Sequence, residues 1–125
     1  MLITLSIVIS SCNQSDDTTT EAKKERPGTS TQVIEASPES ASEYINLSLQ
    51  HYNDGEWQKS IEAGNRALSL NPNDPMAYNN ICAAYVQLDN YDEAIIACNN
   101  ALALRPDFPR ARGNLNVAIR KKENN

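Results

Sequence analysis

The chain has 125 residues and a net charge of −5. An acidic balance without a nucleic-acid-binding motif argues against DNA or RNA as a partner. One histidine, no phosphate loop and no metal-ligand spacing leave no catalytic constellation to assign, so no enzyme activity, cofactor or metal site is expected.

Residues 2–9 form a short apolar run, Leu-Ile-Thr-Leu-Ser-Ile-Val-Ile. It is too short to span a bilayer as a helix. Ser10, Ser11 and Cys12 follow, placing small residues before a cysteine where a signal peptide is cut. Residues 13–40 are rich in Ser, Thr, Glu, Lys, Asp and Pro, with almost no large apolar side chains. Such a stretch cannot offset its ordering entropy by burial and reads as a flexible, disordered tether. No Lys or Arg precedes the apolar run, so the alternatives of a secreted or a cytoplasmic protein stay open.

From residue 38 onward the pattern is helical. Five helices are expected at about 38–53, 57–70, 74–88, 91–104 and 108–122. Ser37-Pro38 and Asp74-Pro75 read as a cap followed by proline in the first turn. Pro72 and Pro106 sit just past helix ends, where a missing N–H does little harm. Apolar residues recur at three and four, as in Tyr78, Ile81, Tyr85 and Leu88. No sustained period-two alternation follows the N-terminus, so no sheet is expected.

The same chain written over itself at a step of 34 falls into register. Tyr44 lies over Tyr78, Asn46 over Asn80, Leu47 over Ile81, Trp57 over Tyr91, Ala67 over Ala101 and Pro72 over Pro106. A third copy starts at Pro109 and stops after one helix, with Asn114 under Asn80. A period of this length implies helix-turn-helix units that stack and leave a groove. These residues resemble the tetratricopeptide repeat (TPR). The resemblance implies an all-α antiparallel helix-hairpin solenoid over 38–125, with repeats 41–74 and 75–108 and a capping helix 109–122, after a disordered N-terminal tether. His51 stands where Tyr85 supplies an aromatic, Ser60 over the small Ala94, and Gly64 where an aromatic is common. The turn at Asp89-Asn90 lacks glycine, but both residue types tolerate a left-handed backbone.

Ile9-Ser10-Ser11-Cys12 in turn resembles the lipobox of bacterial lipoproteins. That resemblance implies a signal peptide 1–11, diacylation of Cys12, and a linker from Cys12 to residue 37. It places the protein in a bacterial cell envelope, membrane-anchored through Cys12, with Asn13 favouring the outer membrane over the inner.

Cys82 and Cys98 fall at similar height on the two helices of the second repeat. A disulfide between them is open geometrically, as are two buried free thiols. Between Ala41 and Leu104, eight acids face only Lys59 and Arg66; from Arg105 onward, six cations face only Asp107 and Glu123. The last helix is therefore a basic end on an acidic stack. His51 is expected to be a packed core histidine.

The candidate binding residues come from the first helices, which line the concave face in TPR stacks. Asn46, Asn80 and Asn114 share one place in three successive units, and an amide there suits the backbone of an extended peptide. Asn79, Tyr52, Gln87, Arg110 and Lys121 are placed to add contacts. A bond to a neighbouring helix is the alternative use of these asparagines. The chaperone-type carboxylate clamp of the family is broken: Asn80 and Arg110 match it, but Ile45 and Leu49 replace its first pair and Asn114 its last Arg. Ile45, Leu49, Ala83 and Val117 make the groove apolar, favouring an amphipathic helix or apolar peptide. The expected function is a tethered adaptor for a protein or peptide partner. The alternatives are a structural subunit that self-associates as a homo-oligomer and a soluble co-chaperone-like module.

Overall fold

The structure, a computed structural model, describes residues 37–125. The apolar run, Cys12 and the linker to residue 36 lie outside the described residues. Five helices follow one another: α1 (Ala41–Asn53), α2 (Trp57–Leu70), α3 (Pro75–Gln87), α4 (Tyr91–Leu104) and α5 (Pro109–Glu123). Among the described residues there is no strand, and no helix is long and apolar enough to cross a membrane.

Local sequence sets the helix ends. α1 starts three residues later than the Ser37-Pro38 signal implies, because Ser40 is the cap: its Oγ accepts from the Glu43 N–H at 3.2 Å. Glu43 reaches back to the Glu39 N–H at 3.0 Å, so one orphan donor of the helix and one amide just ahead of it are met. Asp74 caps α3, accepting from the Met76 N–H at 2.9 Å ahead of Pro75. In register, Phe108 stands where Asp74 caps, and it makes no side-chain cap; it is buried in the core instead.

The two tight turns use one backbone solution with different residues. Gly55 has φ 80° and Asp89, one repeat later, has φ 61°. A non-glycine residue there is uncommon. Tyr91 Oη donates to the Asp89 carboxylate at 2.5 Å, tying the strained residue to the next helix. That bond, then burial, raises the Tyr91 phenol pKa.

Each helix packs on its successor, and α3 also packs on both α1 and α5, while α2 and α4 do not meet. The odd-numbered helices therefore line the inner curve. Small residues make the approach close: Ala67, Ala77, Ala84, Ala94, Ala101, Ala111 and Ala118 are fully buried. Ile61, Ile81, Cys82 and Cys98 fill the centre between them. A second cluster sets Phe108 against Ala101 and Ala111, with Arg105 4.6 Å above its ring.

The helix pair of each repeat is fastened at the same height by different chemistry. In the first repeat Ser48 donates to the Ser60 carbonyl at 2.8 Å, and the two hydroxyls lie 3.1 Å apart. In the second repeat Cys82, in register with Ser48, is disulfide-bonded to Cys98, with Cα atoms 5.3 Å apart. Gly64 stands in register with Cys98, and a Cβ there would lie 2.6 Å from Ile81 Cγ1. The glycine is thus a close-packing site between α2 and α3, which is why no aromatic stands there.

Candidate peptide-binding groove

The inner curve holds a groove of about 130 Å³ lined by Leu49 and Tyr52 of α1, Asn79, Asn80 and Ala83 of α3, and Arg110 and Asn114 of α5. Five of the eight sequence-nominated binding residues line it: Tyr52, Asn79, Asn80, Arg110 and Asn114. Gln87 and Lys121 do not, and neither does Asn46, which is exposed on α1 and lines no part of this groove. Its counterparts acquire their setting from the preceding repeat's first helix, and among the described residues Asn46 has none.

Polar bonds between successive first helices all reach back 35 residues. Asn80 Nδ2 donates to the Ile45 carbonyl at 3.3 Å, Gln87 Nε2 to Tyr52 Oη at 3.1 Å, and Asn114 Nδ2 to Asn79 Oδ1 at 3.2 Å. The asparagines therefore join neighbouring helices as well as facing the groove. They are not exhausted by this. A carbonyl only accepts, so the Asn80 nitrogen must face Ile45 and its Oδ1 has no donor among the described residues. The Asn79–Asn114 pair leaves one donor group and one acceptor free whichever way the two amides are turned. Asn79 and Asn80 are 2% and 4% exposed, so these atoms are largely withdrawn from bulk water. Each buried polar atom left unmet costs roughly 1–3 kcal/mol.

The groove has an apolar end and a cationic end. Leu49 is 39% exposed on α1. Arg110 is exposed on α5, and among the described residues no carboxylate pairs with it. Lys121 lies elsewhere, with Arg120, Tyr91 and Asn124 near the far end of α5. Lys122 of the basic helix pairs with Asp92, and Arg112 donates to the Pro106 carbonyl.

His51 is half-buried rather than enclosed in the core. Its Nδ1 lies 3.2 Å from Glu56 Oε2, and Lys59 lies 2.5 Å from the other oxygen. The bond from Lys59, then that from His51, holds the Glu56 carboxyl below the usual carboxylate range, and Glu56 in turn raises the Lys59 pKa. His51 and Lys59 border an outer cleft with Tyr44, Glu62 and Arg66; one repeat on, the same cleft is bordered by Tyr85, Tyr78, Ile96 and Asn100. Sequence reasoning passed over these clefts, although Glu62 over the 61%-exposed Ile96 is visible in the register. Among the described residues no three His, Cys, Asp or Glu side chains gather in a metal-binding cluster.

The tetratricopeptide repeat family model matches residues 41–74 and again 75–108, together more than half of the chain. The chain belongs to the tetratricopeptide repeat family. Solved TPR structures overlay on it. The first TPR of Spaghetti (RPAP3), bound to the HSP90 peptide SRMEEVD, aligns with a TM-score of 0.66 at 20% identity over 68% of both chains. The TPR2B domain of yeast Sti1, in a pHsp70 complex, gives 0.62 at 28% identity over 66% of this chain and 67% of that one. MamA gives 0.64 at 30% identity, covering 67% of this chain but 46% of its own. No curated protein matches the chain in sequence.

Proposed function

We propose that this TPR chain is a non-enzymatic adaptor that holds an extended peptide of a partner protein in the groove between α1, α3 and α5. One observation carries the reading: Asn79, Asn80 and Asn114, the first two buried, together offer the groove unmet hydrogen-bonding atoms of both kinds. A peptide group supplies a donor and an acceptor together and meets them without regard to sequence. The Spaghetti domain that shares the fold is bound to an HSP90 peptide and the yeast Sti1 domain is in a pHsp70 complex, which supports the same use here.

We further propose that the adaptor is lipid-anchored at Cys12 in a bacterial envelope, with the outer membrane favoured. The Cys82–Cys98 disulfide supports export independently of the N-terminal sequence, since such bonds persist in oxidising compartments.

A photoreactive residue at Leu49, which is open to solvent on the groove wall, tests the groove in native cells. The expected product is a defined band with a second protein that weakens when Asn80 and Asn114 are both changed to alanine. Self-crosslinks alone would move the function to the oligomer. For the anchor, Cys12→Ser is expected to shift the protein from the membrane fraction to the soluble one; unchanged partition refutes it.

A further inference from the structure

Deepening the groove reading, on which it rests, we infer that the bound segment carries an acidic side chain close to an apolar one, both within a continuing chain. The apolar anchor belongs to the α1 end of the groove, where Leu49, Tyr52 and Ala83 converge. The acidic anchor belongs to the α5 end, at Arg110, whose charge meets no carboxylate among the described residues. A guanidinium holds one carboxylate by two parallel hydrogen bonds, so one acid satisfies it.

The position of the charge decides where that carboxylate comes from. Arg110 is exposed at the rim, while the floor between the two ends is made of the neutral amides Asn79 and Asn80, both nearly fully buried. A C-terminal carboxylate is part of the backbone and would lie on that neutral floor, where desolvating it is costly. A side-chain carboxylate reaches the rim while an uncharged peptide group occupies the floor. Residues Ile45 and Leu49 supply no second cation, so a pair of carboxylates has no place here.

Length is bounded as well. Helices in contact lie about 8–10 Å apart, and α3 lies between α1 and α5. Leu49 and Tyr52 from α1 and Arg110 from α5 line the groove and take up part of that span, which leaves roughly two to three residues of extended chain at about 3.3 Å each. The segment therefore presents Leu-like and Glu-like side chains about two residues apart.

The test uses the full 125-residue chain, labelled with nitrogen-15, and follows the side-chain amide signals of Asn79, Asn80 and Asn114 by NMR. The probes are acetylated, amidated pentapeptides, Ser-Leu-Ala-Glu-Ser and its reverse order Ser-Glu-Ala-Leu-Ser. Companions carry Gln for Glu, or lack Glu and end in a free carboxylate. One order of the Glu probe is expected to shift the three amides, with the Gln companion about tenfold weaker. Arg110→Gln is expected to erase that difference and Arg110→Lys to keep most of it, with thermal unfolding confirming that both variants fold. Equal binding of the Glu and Gln probes overturns the acidic anchor and leaves the groove reading standing. A free-terminus probe that binds as well as the Glu probe overturns the side-chain assignment. Shifts confined to the outer cleft around Ile96, or none with any probe, overturn the inference and the groove reading together.

Discussion

The Cys82–Cys98 bond is the covalent element of the described fold, and its removal is open to measurement. The bond spans a sequence separation of 16. Closing a loop of that size removes denatured-chain entropy worth about 3 kcal/mol at 25 °C. A unit spanning residues 38–125 has on the order of 5–10 kcal/mol of total stability, so the bond supplies a third or more of it. The melting temperature should fall by roughly 10–25 °C on its loss. Both sulfurs are fully buried, so a reductant acts only after the repeat opens. The assay is therefore urea unfolding of two samples, one native and one unfolded, reduced and refolded in excess thiol, with Cys82→Ala/Cys98→Ala beside them. Alanine suits the site, because alanines of three helices already border it. Reduced and double-alanine proteins are expected to unfold at similar, lower urea. Thiol titration of the unreduced, unfolded chain made without lipid is expected to find Cys12 alone. Finding three free thiols, or oxidised and reduced midpoints equivalent to within about 0.5 kcal/mol, would refute the reasoning.

Three further outcomes follow from packing and charge. Gly64→Ala gains about 1 kcal/mol of helix propensity but drives a Cβ to 2.6 Å from Ile81, for an overpacking cost of about 1–3 kcal/mol; net destabilisation is expected in urea, and Ile81→Ala should cost less in that background than in the wild type. Asn80→Ala removes the bond to the Ile45 carbonyl and should lower stability by about 1 kcal/mol, whereas Asn46→Ala, at an exposed position, should change it by less than about 0.5; equal effects would mean the three-asparagine register is not a ladder of unequal steps. Glu56 has its pKa lowered in the fold, chiefly by Lys59, so its share of stability is full above the usual glutamate range and disappears as pH falls through and below it. Glu56→Gln should flatten that acid limb of the urea midpoint against pH, and an unchanged slope would remove the trio from the account.

The register of 34 made most of the fold legible, because the positions that repeat are those where helices touch. Ala67 over Ala101 and Ala77 over Ala111 are all fully buried, and a small side chain there lets the helices approach closely. What the register hid was the difference between equal letters in unequal places. Asn46, Asn80 and Asn114 read as one feature, yet Asn80 is nearly enclosed and Asn46 is solvated, since burial there depends on a preceding helix. His51 read as core because Tyr85 borders the cluster in the next repeat; the acid that draws it outward, Glu56, lies across the turn rather than on its own helix face. The disulfide stayed open because helical height is readable from spacing while the roll that aims a side chain is not. Ser37 and Ser40 offer the same chemistry, and only the backbone chose Ser40, with Glu43 in reach behind it.

The two ends of the stack bear on whether it serves as a building block or as a holder. Several inner positions are small or apolar: Ala84 of α3 is fully buried, and Cys82 is bonded to Cys98 of α4. One repeat earlier the place of Ala84 is taken by exposed Gln50. One repeat later the place of Cys82 is taken by exposed Asn116, and that of Tyr78 by exposed Arg112, whose guanidinium folds back onto the Pro106 carbonyl. Another repeat docked on either end would bury these amides and this cation, and each would cost free energy unless it found a partner. Terminal repeats with polar outer faces are how solenoids stop growing. Gln50, Asn116 and Arg112 are thus a cost that end-to-end stacking would have to meet, whereas the inner groove, floored by the helix that the disulfide holds, already leaves hydrogen-bonding atoms unmet among the described residues.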